Sequence, residues 1–217
     1  MNFNSDLLSN LSAKLQLPLP GREAQYRMAH IGRSDPSPMD KMPRKACVMV
    51  LLYPDEQSVT KLVLIQRVRH KKDRHSGQIG LPGGGLEATD KTLQAGALRE
   101  LEEEVGVPIQ SVTVLGALSE LYISVSNFLV YPFVGYVETQ PDFVAQPSEV
   151  QAILEAPLQL FLDKNLRKTK QLRLLNGMIL NKVPYFEVDG HTVWGATAMI
   201  LNELSEIITE QVLSGTD

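Results

Sequence analysis

The chain has 217 residues, 43% of them hydrophobic and 21% charged, so it can bury one sizeable core and is not disordered throughout. Its formal net charge of −4, from 21 Lys and Arg against 25 Asp and Glu, argues against a general nucleic-acid binder, because nonspecific affinity for nucleic acid comes mainly from neutralised phosphates. The single cysteine, Cys47, excludes an internal disulfide and lies in the apolar run 46–53, which predicts a packed core residue in a reducing compartment.

The sequence carries no sign of a membrane segment. Asp6 stands where a secretory signal would carry basic residues, and the longest apolar run is far below the about 20 residues that a membrane span needs. We therefore expect a cytoplasmic protein with neither nucleic acid nor membrane among its partners. The sequence does not determine the oligomeric state, and a homodimer is compatible with it.

The first 45 residues are predicted to form a helix followed by a wrapping arm. Four leucines recur at helical spacing after Ser5 and Asp6, either of which can cap the helix. Residues 18–45 contain five prolines and two glycines, too irregular a composition for a core element. We therefore place the main domain at residues 46–213.

Strands and helices interleave through the main domain. Apolar, β-branched runs predict strands at residues 46–53, 62–67, 111–121, 128–137 and 185–188. The dipeptide Asn176-Gly177, suited to a tight turn, predicts a hairpin between strands at 171–175 and 178–181. Helical patterns predict helices at 92–105, 149–156 and 192–211. Because strands and helices do not strictly alternate, we expect an α/β fold with a mixed sheet sandwiched between helices.

The most informative stretch is a glycine-rich loop that leads into a helix rich in glutamate. Gly83, Gly84 and Gly85 let backbone groups approach a ligand because they carry no Cβ, although a tight turn alone also explains them. Asp90 is the predicted N-cap of the helix, and Gly106 is predicted to lie just beyond its C-terminus. The sequence therefore predicts a loop and a helix that act as one unit.

Three glutamates, Glu100, Glu103 and Glu104, are predicted to share one face of this helix. At ~100° per residue they fall within an arc of roughly 100°, away from Leu101 and Val105. A solvated charged face is the ordinary interpretation of such a cluster. Like charges one turn apart cost ~0.2–0.5 kcal/mol per pair, however, and the helix dipole disfavours anions near the C-terminus. A divalent cation such as Mg²⁺ or Mn²⁺ removes both penalties, which favours a metal site.

The spacing of this segment resembles the Nudix box. The matching residues run Gly85-x5-Lys91-x7-Arg99-Glu100-Leu101-x-Glu103-Glu104-x-Gly106-Val107. The resemblance implies the Nudix fold over most of residues 40–210 and hydrolysis of a nucleoside diphosphate linked to another group. It also implies that Arg99 orients the acids and that catalytic metal is bound by Glu100, Glu103, Glu104 and the carbonyl of Gly85.

One position departs from the box. The box usually carries glutamate where this chain has Lys91, and no functional role is transferred to that lysine. Asp90, one residue earlier, is expected to take the place of the glutamate. That pattern resembles the coenzyme A branch of the family.

A second resemblance concerns the substrate. Three segments are similar to the signature that precedes the box in coenzyme A pyrophosphatases, with Leu81 in place of the usual Phe: Leu64-Ile65-Gln66-Arg67, Arg74-His75-x-Gly77-Gln78 and Leu81-Pro82-Gly83-Gly84. The resemblance implies cleavage of coenzyme A or an acyl form of it. The products would be 4′-phosphopantetheine and adenosine 3′,5′-bisphosphate.

A basic cluster between positions 67 and 75 is compatible with this substrate. In an acidic chain these charges are either a solvated loop or an anion pocket beside the metal, suited to a substrate with an extra phosphate. A histidine such as His75 is by itself more often structural than catalytic. The residues expected to contact substrate are Arg67, Arg69, Arg74, His75, Gly83 and Gly84.

The residue that accepts the proton of the attacking water stays open at this point. Glu103 and Glu104 are candidates inside the box, and Glu149 is a candidate outside it, because related enzymes often place a helping glutamate on a loop there. An ordinary glutamate in the first turn of a helix explains Glu149 equally well. Trp194, the only tryptophan, is predicted to be a core anchor rather than a platform for a nucleobase.

Two other functions compete with a coenzyme A hydrolase. An ADP-ribose or NADH diphosphatase would use the same metal site on another substrate. A Nudix-fold module that senses a nucleotide without hydrolysing it belongs to a different class, and such modules tend to lose acids of the box. Retention of Glu100, Glu103 and Glu104 favours an enzyme.

Overall fold

A mixed sheet of eight strands forms the centre of the computed structural model. The structure describes residues 1–33, 42–69, 76–174 and 177–213, and it describes side chains up to residue 209. Its strands are β1 (Arg44–Pro54), β2 (Thr60–Arg67), β3 (Ile79–Gly80), β4 (Gly83–Gly85), β5 (Thr113–Ala117), β6 (Leu121–Ile123), β7 (Phe128–Tyr136) and β8 (Val150–Pro157). The strand order is β3-β2-β1-β7-β5, with β4 also paired to β1, β6 to β7 and β8 to β2. The pair β1 and β7 is parallel, and the other described pairs of this sheet are antiparallel.

Helices cover both faces of this sheet, and the burial of β1 shows why. Val50 and Leu52 enter a first core on one face, and Met49 and Leu51 enter a second core on the other, all at 0% exposure. Full burial of such a side chain stabilises the fold by about 1.5–3 kcal/mol, so both faces need a cover. The helices are α1 (Ser5–Lys14), α2 (Gly21–Tyr26), α3 (Leu93–Val105), α4 (Gln159–Leu162) and α5 (Gly195–Leu213).

Each core has its own helices. Residues of α3 such as Leu101 belong to the second core, whereas Leu11 of α1 and Leu204 of α5 belong to the first. This α/β/α arrangement confirms the predicted fold class. None of the helices within the described ranges combines the length and the apolar character that a membrane crossing requires.

A second sheet of three antiparallel strands follows the main sheet. Its strands are β9 (Lys168–Arg173), β10 (Ile179–Val188) and β11 (His191–Trp194), in the order β11-β10-β9. Ile179 pairs with Arg173, which confirms the predicted hairpin, although its turn residues 175 and 176 lie outside the described residues. The strand predicted at 185–188 is the end of β10 rather than a separate strand.

The helix predicted at 149–156 is wrong, because this segment forms β8. It pairs antiparallel with β2 along most of that strand. Val150, Leu154 and Ala156 are buried, and this two-residue period was concealed by a composition rich in Ala, Leu and Glu. Pairing with the sheet therefore overrides helix propensity here.

Two further boundaries differ from the predictions. The helix predicted at 192–211 begins only at Gly195, which has a φ of +62°, because the residues before it form β11. The strand predicted at 111–121 is divided into the end of a short 3₁₀ turn, β5 and β6. Both strands pair with β7, and residues 118–120 between them belong to neither. The remaining predictions of the main domain agree with β1, β2, β7 and α3 to within two residues: 46–53, 62–67, 128–137 and 92–105.

The N-terminal arm is tied to α5. Asn4, rather than Ser5 or Asp6, caps α1, since its Oδ1 accepts a hydrogen bond from the backbone of the first turn at 2.8 Å. The arm contains α2, so the prediction that it holds no core element is wrong. Gln25 of α2 is 1% exposed, and its Nε2 donates to Glu203 Oε2 of α5 at 2.8 Å. The domain boundary at residue 45 stays a prediction.

The single cysteine and the single tryptophan have different environments. Cys47 is 1% exposed, which confirms the packed core residue, and burial raises the pKa of its thiol to about 11. Trp194 is only partly buried and lies outside both cores that the described residues form. It stands opposite Tyr185, on the face of β11 that points away from the buried Val193. The prediction of Trp194 as a core anchor is therefore wrong.

Candidate functional site

Helix α3 begins and ends at residues suited to its termini. Thr92 is the N-cap, because its Oγ1 accepts a hydrogen bond from Ala95 N at 3.0 Å. The prediction that Asp90 caps the helix is therefore wrong. Gly106 ends the helix with a φ of +75°, as predicted, because glycine adopts this conformation without a Cβ clash.

The glycines of β4 lie between β1 and the acidic face of α3. Gly84 pairs with Cys47 of β1. A Cβ on Gly84 would lie 2.5 Å from Glu100 Oε1, and a Cβ on Gly83 would overlap the backbone of Val48. Close approach, rather than a tight turn alone, therefore requires glycine at both positions.

The guanidinium of Arg99 connects this loop to the acids. Its Nε and Nη2 donate to the two carboxylate oxygens of Asp90 at 3.0 and 3.1 Å, a bidentate pair that lowers the pKa of Asp90. Nη2 also lies 3.0 Å from Glu100 Oε1 and 3.3 Å from the carbonyl of Gly85. Nη1 lies 2.7 Å from Glu103 Oε2. Arg99 therefore fixes two of the three glutamates relative to the loop.

Gly96 is a position that the sequence analysis missed. It is buried inside α3, where glycine costs about 1 kcal/mol relative to alanine. A Cβ at this position would lie 3.1 Å from Asp90 Oδ2. The missing side chain lets Asp90 approach the helix closely enough to pair with Arg99. The available signal was a glycine in the interior of a predicted helix.

Two of the three predicted acids are buried. Glu100 is 9% exposed and Glu104 is 1% exposed. Gly83 N donates to Glu104 Oε2 at 2.7 Å, whereas Glu104 Oε1 is buried without a hydrogen-bond partner among the described residues and lies 3.9 Å from Arg67 Nη1. Burial is the main cause that raises the pKa of Glu104 to about 7. Burial also raises the pKa of Glu100, against the opposing effect of Arg99.

A divalent cation fits the chemistry of these groups. A buried carboxylate oxygen without a partner is costly, and a cation beside Glu104 Oε1 would offset that cost. Hard cations prefer carboxylate and carbonyl oxygens, which Glu100, Glu104 and Gly85 provide. The Glu103 side chain stands apart, 57% exposed and paired with Arg99. Within the described residues no three acidic, histidine or cysteine side chains converge as a ready-made metal group, so the ligand set stays a prediction.

Glu149 lies near these acids although it is far away in sequence. It is exposed, in the turn that precedes β8. The turn contacts α3 directly, since Gln146 N donates to the Glu104 carbonyl at 3.0 Å, and the Glu149 charge contributes to the raised pKa of both Glu100 and Glu104. The alternative interpretation of Glu149, a glutamate in the first turn of a helix, is wrong because the segment that follows is a strand.

The predicted substrate-binding residues are only partly described. Arg67 ends β2 with its side chain 34% exposed and directed towards Glu104. Arg69 is exposed, and a Cβ on Gly77 would lie 3.4 Å from its Cγ. Arg74 and His75 lie outside the described residues. Among the described residues of the basic cluster, Arg67 is the one with a contact to the acids.

Replacing Lys91 by glutamate, which restores the usual box residue, is expected to change kcat less than tenfold. Lys91 is exposed, and Asp90 already accepts hydrogen bonds from Nε and Nη2 of Arg99. Steady-state kcat at saturating Mg²⁺ checks this, with Asp90→Ala as the contrasting variant that loses more activity. A gain above tenfold in Lys91→Glu would show that Asp90 does not replace the box glutamate.

Comparison with known proteins identifies similar chains. The profile of the NUDIX domain matches residues 42–175. NudL of Salmonella newport, described as an uncharacterized Nudix hydrolase, is 38% identical over 144 residues, which cover 66% of this chain and 73% of the relative. NudL of Salmonella enteritidis matches to the same extent.

Solved structures support the same fold. RenU, a Nudix hydrolase from M. smegmatis, has a TM-score of 0.53 at 15% identity and covers 77% of this chain and 87% of its own. A MutT protein from Methanosarcina mazei has a TM-score of 0.50 at 15% identity and covers 80% and 98%. At these identities the likeness concerns the fold alone.

Proposed function

Because this chain belongs to the NUDIX domain family, we propose that it cleaves coenzyme A to 4′-phosphopantetheine and adenosine 3′,5′-bisphosphate with Mg²⁺ or Mn²⁺. Membership makes it a hydrolase that acts on phosphorus anhydrides of nucleotide derivatives, and such hydrolases generally use divalent metal ions. The observation that carries the proposal is the buried Glu104 carboxylate beside the glycines of β4 and Arg67. One of its oxygens has no hydrogen-bond partner among the described residues.

The proposed metal ligands are Glu100, Glu103, Glu104 and the carbonyl of Gly85. When bound, the metal supplies positive charge that neutralises the diphosphate oxygens as the bridging bond breaks. Arg99 contributes by holding Glu100 and Glu103 through contacts of 3.0 and 2.7 Å. The glycines of β4 leave room for a phosphate to lie against the backbone.

Glu149 is the proposed acceptor of the proton from the attacking water. The other candidates, Glu103 and Glu104, use their oxygens for the metal in this proposal. Glu149 has an exposed side chain on a turn that contacts α3, and its charge acts on both buried acids. The water oxygen forms a bond to one phosphorus, and the bond from that phosphorus to the bridging oxygen breaks. The bridging oxygen leaves with the other phosphate, and the proton stays on the carboxylate until solvent removes it.

The choice of coenzyme A depends on positive charge next to the acids. Arg67 lies within 3.9 Å of Glu104, and Arg69 is exposed two residues later. Coenzyme A carries a 3′-phosphate in addition to its diphosphate, so a guanidinium has a second anion to bind. ADP-ribose and NADH lack that phosphate and offer these arginines only the diphosphate.

Hydrolysis of a substrate panel tests this function. Coenzyme A, NADH, ADP-ribose and nucleoside triphosphates are each incubated with the protein and Mg²⁺, and the products are identified by mass. We expect coenzyme A to have the highest kcat/KM. A preference for ADP-ribose or NADH would replace the proposed substrate, and binding without hydrolysis of any of them would indicate a sensing module.

A further inference from the structure

The hairpin of β9 and β10 ends in an apolar turn that neither core explains. Two backbone hydrogen bonds close the turn, from Leu174 N to the Met178 carbonyl at 2.8 Å and from Gly177 N to the Leu174 carbonyl at 2.9 Å. Met178 and Ile179 are 54% and 45% exposed, and Leu174 is partly exposed. None of these residues belongs to either hydrophobic core. Packing in the two cores therefore does not account for this apolar surface.

The strand register gathers apolar side chains on one face of this hairpin. Leu172 stands opposite Leu180, and both are partly exposed and outside the two cores. Because alternate residues of a strand point to the same face, Leu174 and Met178 lie on the face of this pair. The opposite face carries Gln171, Arg173, Ile179 and Asn181. The hairpin end, which is the described part of residues 171–182, is therefore amphipathic.

Positive charge surrounds the hairpin end. Residues 164–182 contain six of the 21 Lys and Arg of the chain and none of its 25 Asp and Glu, although the formal net charge of the chain is −4. Arg173 and Lys182 are exposed and form no ion pair within the described ranges. Lys168, which lies further from the turn, pairs with Glu187 at 2.7 Å. The two unpaired cations beside the apolar face favour an anionic partner.

A bilayer surface that contains anionic lipids fits both the apolar face and the cations. Exposed apolar side chains can enter the boundary between headgroups and acyl chains, while neighbouring lysine and arginine meet anionic headgroups. Such a surface contact needs no helix that crosses the membrane. A second copy of this chain fits less well, because two hairpin ends packed face to face would bring their unpaired cations together.

We propose that the hairpin end binds the surface of a bilayer that contains anionic phospholipids. Leu174 and Met178 enter the headgroup region, and Arg173 and Lys182 contact lipid phosphates. The rest of the acidic chain is repelled by the same surface, so the hairpin end also sets the orientation of the bound protein. The expectation that no membrane is a partner was based on the absence of long apolar runs, which a surface contact does not require. This inference goes beyond the proposed hydrolysis and does not depend on it.

Sedimentation of the whole chain with lipid vesicles tests the proposal. One set of vesicles contains phosphatidylcholine alone, and the other contains phosphatidylcholine with one third phosphatidylglycerol. The wild type is expected to bind the anionic vesicles at least about tenfold more tightly than the neutral ones, because only they attract the cations. High salt is expected to remove most of this difference, because it screens the attraction.

Substitutions in the hairpin end separate the two contributions. Arg173→Ala and Lys182→Ala are each expected to weaken binding to the anionic vesicles about fivefold, and the double variant about 25-fold. Met178→Ser is expected to weaken binding about tenfold, because it removes an apolar side chain from the headgroup region. Thermal unfolding of each variant shows whether it is folded.

Matched controls lie outside the hairpin end. Lys45 and Lys91 are exposed, so the double variant Lys45→Ala with Lys91→Ala removes the same charge from another part of the chain. Met42 is 91% exposed, so Met42→Ser is the control for Met178→Ser. Both controls should keep the vesicle affinity of the wild type within about threefold, since long-range charge is screened.

Three results would overturn the proposal: equal binding of the wild type to both kinds of vesicle, no binding to either, or the same loss in the hairpin variants and their controls. A dimer that Met178→Ser dissociates, without vesicle binding, would instead make this face an interface between copies of the chain. If coenzyme A is not cleaved but the hairpin variants still lose vesicle binding, the proposed substrate is wrong and the lipid-binding surface stands.

Discussion

Replacing Glu103 by glutamine is expected to lower kcat by about 10²–10⁴ without unfolding the protein. Loss of a metal ligand removes several kcal/mol of charge stabilisation from the transition state. The fold should tolerate the change because the Glu103 side chain is 57% exposed and belongs to no core. Single-turnover kinetics at saturating Mg²⁺, together with thermal unfolding, measure the two effects separately.

Glu102→Gln is the control for Glu103→Gln. It removes the same charge from the neighbouring residue of α3, whose carboxylate only accepts a backbone hydrogen bond from Ile109 N at 3.2 Å. Its kcat should stay within about threefold of the wild type, because surface charges contribute little. Near wild-type turnover in Glu103→Gln would exclude Glu103 as an essential ligand and leave Glu100 and Glu104 to hold the metal.

Dephospho-coenzyme A is expected to be a poorer substrate than coenzyme A by roughly 10–100-fold in kcat/KM. A charge-assisted contact between an arginine and the 3′-phosphate contributes on the order of 1.5–3 kcal/mol, and dephospho-coenzyme A lacks that phosphate. Both substrates share the diphosphate, so differences in metal binding cancel in the ratio. Parallel measurement of kcat/KM for the two substrates at one Mg²⁺ concentration gives the factor directly.

Arginine variants identify the residue responsible. Alanine at Arg67, Arg69 or Arg74 should reduce the ratio of kcat/KM for coenzyme A to kcat/KM for dephospho-coenzyme A, because only coenzyme A has the 3′-phosphate that the arginine contacts. Arg173 is an exposed arginine of the second sheet, so Arg173→Ala is the control and should leave the ratio of the two kcat/KM values unchanged. Equal kcat/KM for the two substrates in the wild type would show that no arginine contact with the 3′-phosphate contributes to catalysis.

The loop and the acidic helix were predictable because short-range rules decide them. The interval from residue 92 to 105 has helical periodicity, a following glycine and acids one turn apart, and the structure has α3 at 93–105. Segment 149–156 was misassigned since its residues favour a helix when taken alone. Pairing with β2, more than 80 residues earlier, makes it a strand. Only such long-range contacts decide segments of this kind.

The burial and the pKa values of the glutamates depend on contacts with other segments, which a helical projection does not contain. The projection placed Glu100, Glu103 and Glu104 on one face, but it could not distinguish the buried pair from the exposed Glu103. Burial arises because β4 lies over part of that face. Asp90 was named as a substitute for the box glutamate, but its pairing with Arg99 depends on the space left by Gly96.

The hydrogen bond between Gln25 and Glu203 limits when the N-terminal segment can complete its contacts during folding. It joins residues 178 positions apart, and Glu203 lies in α5, which also completes the first core. Gln25 Nε2 also donates to the Ser119 carbonyl at 3.0 Å, but its bond to Glu203 forms only after α5 has been synthesised. The first core, to which Leu11 of α1 belongs, likewise stays incomplete without α5. Completion of the first core therefore depends on segments that are far apart in the sequence, and a chain that lacks α5 exposes apolar surface of the kind that chaperones bind.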